Sequence, residues 1–150
     1  MKSLHLLIVA GAMSVCTAGP LAAQSAGTIG AVGASGGSAT IGSGGSAAAG
    51  GTSASTAGVG AVSGESRSLA TGGSAAAVDG RATSRTQMRE NKNNMMGRTT
   101  ARARDGGTWS RSTTRTRIHK GELTTRTKTM AHEPGGAPVK SMSTGQSSPQ

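Results

Sequence analysis

A chain of 150 residues with no phenylalanine, no tyrosine and one tryptophan has little with which to fill a conventional core. Beyond residue 23 the larger apolar side chains are Ile29, Val32, Ile41, Val59, Val62, Leu69, Val78, Met88, Met95, Met96, Trp109, Ile118, Leu123, Met130, Val139 and Met142. Burying these few groups does not offset the entropy lost in ordering so long a backbone. The expected fold class is therefore mostly intrinsically disordered, low-complexity chain, with order confined to local segments.

The best local candidate is a β-hairpin at 113–129. Thr113–His119 and Glu122–Thr129 are Thr-rich runs with period-two alternation, separated by the two-residue loop Lys120-Gly121. Pairing His119 with Glu122 sets Ile118 opposite Leu123, Thr116 opposite Thr125 and Thr114 opposite Thr127, all on one face. The other face carries Arg115, Arg117, His119, Glu122, Arg126 and Lys128. This register opposes Arg115 to Arg126, which is unfavourable. The alternative is a solvated Thr/Arg linker.

Residues 1–23 read as a secretory signal peptide: Lys2, an apolar run from Leu4 to Cys16, then Pro20-Leu21-Ala22-Ala23, with cleavage expected after Ala23. Cys16 lies inside the apolar run rather than at a cleavage point, so lipidation is not expected. Cleavage would remove the only cysteine and leave no disulfide and no transmembrane segment in the mature chain.

Residues 24–80 are a Gly/Ala/Ser/Thr-rich low-complexity segment. Gly-Gly-Ser-Ala recurs at 36–39, 44–47 and 72–75. The period-three glycines lack the proline a collagen helix needs. A period of six (Ile29, Ser35, Ile41, Ala47, Ser53, Val59) would suit a β-solenoid at 27–64, but half of those positions are not aliphatic. A flexible tether is the main expectation. Gly42–Ala47 has dinucleotide-turn spacing but no hydrophobic strand before it and no helix pattern after it.

Residues 81–133 form a basic Arg/Thr-rich segment with thirteen Lys/Arg against Glu90, Asp105, Glu122 and Glu133, or +9 of the formal +10. Ser84 and Gln87 have capping-box spacing, so a transient helix running to Gly97 is expected despite Asn91, Asn93 and Asn94. Gly106-Gly107 reads as a hinge, and 134–150 as a disordered tail.

Catalytic, cofactor-binding and metal sites are not indicated. His119 and His132 have no recognised ligand spacing and no cysteine beside them, and no acid–base or nucleophile constellation stands out. The chain is expected not to be an enzyme. Charge is the remaining signal. Arg98, Arg102, Arg104, Arg111, Arg115, Arg117, Arg126 and Lys128 are the candidate polyanion-binding residues. The expected partners are anionic polysaccharide, lipid head groups or extracellular nucleic acid, bound without specificity and sensitive to salt. One tryptophan is too few for a dedicated single-strand platform. The leading expectation is a small exported basic protein, periplasmic or secreted, generically like the Gly/Ala/Ser-rich exported proteins of bacteria. The alternative is a self-assembling structural spacer of the envelope or matrix.

Overall fold

The computed structural model describes residues 24–149 apart from 36, 65, 92 and 93; the signal peptide expected at 1–23 lies outside the described residues. The expectation of mostly disordered chain is overturned. The described residues are nearly all strand: β1 (Ser25–Ser35), β2 (Ser38–Ala49), β3 (Thr52–Ser63), β4 (Ser66–Ala77), β5 (Arg81–Asn91), β6 (Asn94–Asp105), β7 (Thr108–His119), β8 (Glu122–His132) and β9 (Val139–Ser147). Every neighbouring pair within a sheet is antiparallel. β1-β2-β3-β4 make one four-stranded meander (sheet A) and β5-β6-β7-β8-β9 a second, five-stranded one (sheet B).

The two sheets stack face to face, and the crossing at 78–80 reverses the direction of travel, so β1 lies over β9, β2 over β8, β3 over β7 and β4 over β6. β5 overhangs, exposed along its whole length. β2, β3 and β4 begin at Ser38, Thr52 and Ser66, and β6, β7 and β8 at Asn94, Thr108 and Glu122. Within each series the strands begin at even intervals along the chain. At Lys120-Gly121 both residues have positive φ (50° and 85°), as a type I′ hairpin requires.

The hairpin at 113–129 exists as the centre of β7–β8, with His119 opposite Glu122, Ile118 opposite Leu123 and Arg115 opposite Arg126. Three other expectations are corrected. The solenoid at 27–64 is an antiparallel meander, and its period-six positions do not stack: Ile41 is 1% exposed while Ile29 and Val59 point outward at 67% and 54%. The helix expected from Ser84 to Gly97 is the β5–β6 hairpin, with Asn91 opposite Asn94. The tail expected to be disordered contains β9, paired with β8 from Val139 to Ser147.

What replaces a large-residue core is a layer of small side chains. Apolar clusters sit at the two ends of the interface: Ala39, Ile41, Val62, Ile118 and Leu123 with Leu69 and Met95 packed against them, and Ala47, Ala49 and Ala131 with Ala26. Between them lies a buried band of hydroxyls that satisfy one another across the sheets. Thr56 Oγ1 is 2.6 Å from Ser112 Oγ and 2.8 Å from Thr114 Oγ1, and Thr114 is 2.9 Å from Thr127. Thr127 Oγ1 donates to Ser43 Oγ at 2.9 Å, and Ser43 pairs with Thr125 at 2.5 Å. Thr52 pairs with Ser110 at 2.6 Å. Buried hydroxyls are tolerated when hydrogen-bonded, and threonine is well suited to a pleated strand.

Glycines make room for those threonines. A Cβ at Gly45 would lie 2.5 Å from Thr129 Cγ2 and 2.6 Å from Thr127 Cγ2. At Gly58 it would lie 2.5 Å from Thr116 Oγ1 and 2.9 Å from Thr114 Cγ2. Thus the Gly-rich half of the chain supplies sockets, and the Thr-rich half fills them.

Candidate functional site

Strand alternation divides the charged residues by face. In sheet B the inward positions are the buried ones: Thr99, Ala101 and Ala103 on β6, Ser110, Ser112, Thr114, Thr116 and Ile118 on β7, and Leu123, Thr125, Thr127, Thr129 and Ala131 on β8. The intervening residues face outward. They include Arg81, Arg85 and Arg89 on β5, Arg98, Arg102 and Arg104 on β6, Arg111, Arg115 and Arg117 on β7, Arg126 and Lys128 on β8, and Lys140 on β9.

The register lines these cations up in rows across the strands. Arg98, Arg115 and Arg126 form one row, with Gln87 and Thr144 at its ends. Arg102 and Arg111 lie in a second, between Thr83 and Met130, with Lys140 beyond. Arg81 and Arg104 lead into Trp109 and His132 in a third. Arg85 shares a row with Lys128, and Arg89 with Arg117. Neighbours in a row are separated by about 4.8 Å at the backbone, and successive rows by about 6.8 Å. Among the described residues, one carboxylate faces this side: Glu122, which accepts a hydrogen bond from Gln146 Nε2.

All eight sequence-selected cations, Arg98, Arg102, Arg104, Arg111, Arg115, Arg117, Arg126 and Lys128, therefore share one face of one sheet. Sequence reasoning missed Arg81, Arg85, Arg89 and Lys140, which lie on the same face. A signal for the first three is present: Arg81, Thr83, Arg85, Gln87 and Arg89 alternate with period two. It competes with the capping-box spacing of Ser84 and Gln87, which points to a helix instead.

Crowding leaves an electrostatic mark. Arg111 is held below the usual arginine range by partial burial first, and then by the guanidiniums of Arg102 and Arg98. Two other acids near this region, Asp105 and Glu133, are occupied by backbone amides. Asp105 Oδ2 accepts the Asp79 amide at 3.3 Å, and Glu133 Oε1 accepts the Gly50 amide at 2.9 Å.

The outer face of sheet A differs completely. β2 presents Thr40, Gly42, Gly44, Ser46 and Ala48; β3 presents Ser53, Ser55, Ala57, Val59, Ala61 and Ser63; β4 presents Ser66, Ser68, Ala70, Gly72, Ser74 and Ala76. None of these is ionisable. The molecule is a slab with one cationic and one neutral side.

Among the described residues no group of three or more His, Cys, Asp or Glu is placed to hold a metal ion, and no helix is long and apolar enough to cross a membrane. His119 Nδ1 is hydrogen-bonded to Asn94 Oδ1, and His132 packs its ring against Trp109, with centroids 5.6 Å apart and planes tilted by 35°. Compared with family profiles, curated proteins and solved structures, the chain matches none.

Proposed function

We propose that this is a non-catalytic, exported protein that associates electrostatically with anionic polymers or surfaces through the outer face of sheet B. The observation that carries this reading is the set of cross-strand cation rows facing out with Glu122 as the one outward carboxylate among the described residues. Like charges directly opposed on a sheet destabilise it, so the arrangement works against folding unless an anion neutralises it. Arginine's planar fork pairs well with phosphate, sulfate and carboxylate. Nothing on this face distinguishes one polymer sequence from another.

The test is a salt series with the full chain and a labelled polyanion such as heparin or single-stranded DNA. Engagement of six or more anionic groups predicts an affinity loss of about 10³-fold or more between 50 and 200 mM salt. Tight binding that ignores salt would remove the electrostatic basis of the proposal, as would absence of binding at low salt.

A second reading is favoured by the neutral face. Ile29 and Val59 are exposed on a surface otherwise made of Gly, Ala, Ser and Thr, and β5 leaves one backbone edge open. Such a surface suits stacking or edge pairing in a self-assembling envelope or matrix protein. Light scattering separates the two readings: growth of particle size without polyanion supports self-assembly, whereas a monomer that associates only on adding polyanion supports the electrostatic reading.

A further inference from the structure

The basic face is not uniform. At one end it opens into a cleft of about 750 Å³ lined by Arg81, Thr83, Arg102, Arg104, Trp109 and Arg111, together with Ala103 and Ser110. Four arginines and the tryptophan line it, and among the described residues no carboxylate does. The register explains this grouping: Arg81, Arg104 and Trp109 are consecutive cross-strand neighbours, and Arg102 and Arg111 are neighbours in the adjoining row. Trp109 is half-buried, with His132 packed beside its ring, so the indole is supported from one side and borders the cleft on the other.

From this geometry we infer that the cleft is a subsite for one phosphorylated planar ring, a nucleotide unit either free or at the end of a single strand. This deepens the basic-face reading and rests on it. An aromatic side chain stacks on the π-face of a base whatever its identity, and arginine forks grip phosphate through paired N–H donors. Partial burial first, and then Arg102 and Arg98, disfavour the charge on Arg111, and an anion in the cleft would offset that. With one tryptophan, the site holds one ring and does not track a strand, in keeping with the lack of any Phe or Tyr in the chain.

Trp109 is the chain's only tryptophan, so its fluorescence reports this cleft alone. The experiment titrates the full chain with adenosine 5′-monophosphate, ribose 5-phosphate, adenosine, inorganic phosphate and a 5′-phosphorylated oligoadenylate. Saturable quenching by the nucleotide is expected, with ribose 5-phosphate and adenosine each at least about tenfold weaker. Quenching by mononucleotide and oligonucleotide alike identifies a free-nucleotide site; quenching by the oligonucleotide alone identifies a strand end. Arg102→Gln with Arg104→Gln keeps the fluorophore and should weaken binding about tenfold or more, while far-ultraviolet circular dichroism confirms retention of the sheet. Equal binding of ribose 5-phosphate and nucleotide would overturn the inference, as would failure of both the nucleotide and the oligonucleotide to quench. Trp109→Leu, which removes the fluorophore and is therefore titrated by calorimetry alongside the unaltered chain, should abolish discrimination between nucleotide and ribose 5-phosphate while long heparin still binds. If heparin also fails to bind the unaltered chain, the basic-face reading itself fails.

Discussion

Gly58→Val will destabilise the protein severely, whereas Gly72→Val will leave it as stable as before or slightly more so. A Cβ at Gly58 would meet Thr116 Oγ1 at 2.5 Å and Thr114 Cγ2 at 2.9 Å. Both threonines are fully buried and tied into the hydroxyl band, Thr114 to Thr56 and Thr127, Thr116 to Thr125 at 3.3 Å. They have nowhere to retreat, so the sheets must separate. Overpacking of this kind costs about 1–3 kcal/mol or more, and each hydroxyl pair pulled apart adds about 1 kcal/mol. A fall in melting temperature on the order of 10 °C follows. Gly72 is on the outer face of β4 with nothing within 4 Å of its would-be Cβ, and valine suits a strand better than glycine does. Denaturant midpoints of the two variants, read by circular dichroism, check the difference. Equal midpoints would mean that the glycines are not sockets and that the sheets do not pack as described.

The triple change Arg98→Thr, Arg115→Thr, Arg126→Thr will move stability and binding in opposite directions. These three are successive cross-strand neighbours on the outer face. Relieving two opposed like-charge pairs stabilises the sheet by roughly 0.2–1 kcal/mol per pair, toward the lower end here because solvent screens the charges. The gain should fade as salt shortens the screening length to about 8 Å or less. Polyanion affinity should fall, and the slope of log affinity against log salt should become shallower by roughly 2–3, since each phosphate contact contributes about 0.7–0.9. Threonine keeps the β propensity of the strands. Thermal unfolding and binding, both measured across the same salt series, provide the check. A variant that loses stability and affinity together would point to a structural role for the arginines instead.

The part of the fold legible in the sequence is the part whose signals are local. Lys120-Gly121 between two alternating runs specifies both the turn and the register of β7–β8, and the face shared by Arg115, Arg117, Arg126 and Lys128 follows from alternation alone. The opposition of Arg115 to Arg126, which argues against the hairpin, is a real feature of it. The remainder is hidden by composition. In residues 24–80 glycine is so common that turn glycines such as Gly37 and Gly50 do not stand out from strand glycines such as Gly45 and Gly58. Nor does a count of large apolar residues register a core made of small hydroxyl side chains. Ser43, Thr56, Thr114 and Thr127 contribute through mutual hydrogen bonding and the close approach of the sheets. The spacing of Ser84 and Gln87 suits a helix cap, but Asn91 and Asn94 are cross-strand partners of β5 and β6 instead. The candidate site is half legible: the charge of Arg98, Arg102 and Arg104 is plain, but their assembly with Arg81, Arg85, Arg89 and Lys140 depends on pairings that no local pattern specifies.

If the proposed surface is made by the fold and not by charge alone, moving charge without changing its amount will not move binding with it. Ser53, Ala57 and Ser68 are exposed on the outer face of sheet A. Adding Ser53→Arg, Ala57→Arg and Ser68→Arg to the triple Arg-to-Thr variant restores the net charge on the opposite side of the slab. Heparin affinity measured at low salt should remain at the weakened level of the triple variant. Recovery to the affinity of the unaltered chain would show that net charge suffices, and would contradict the account.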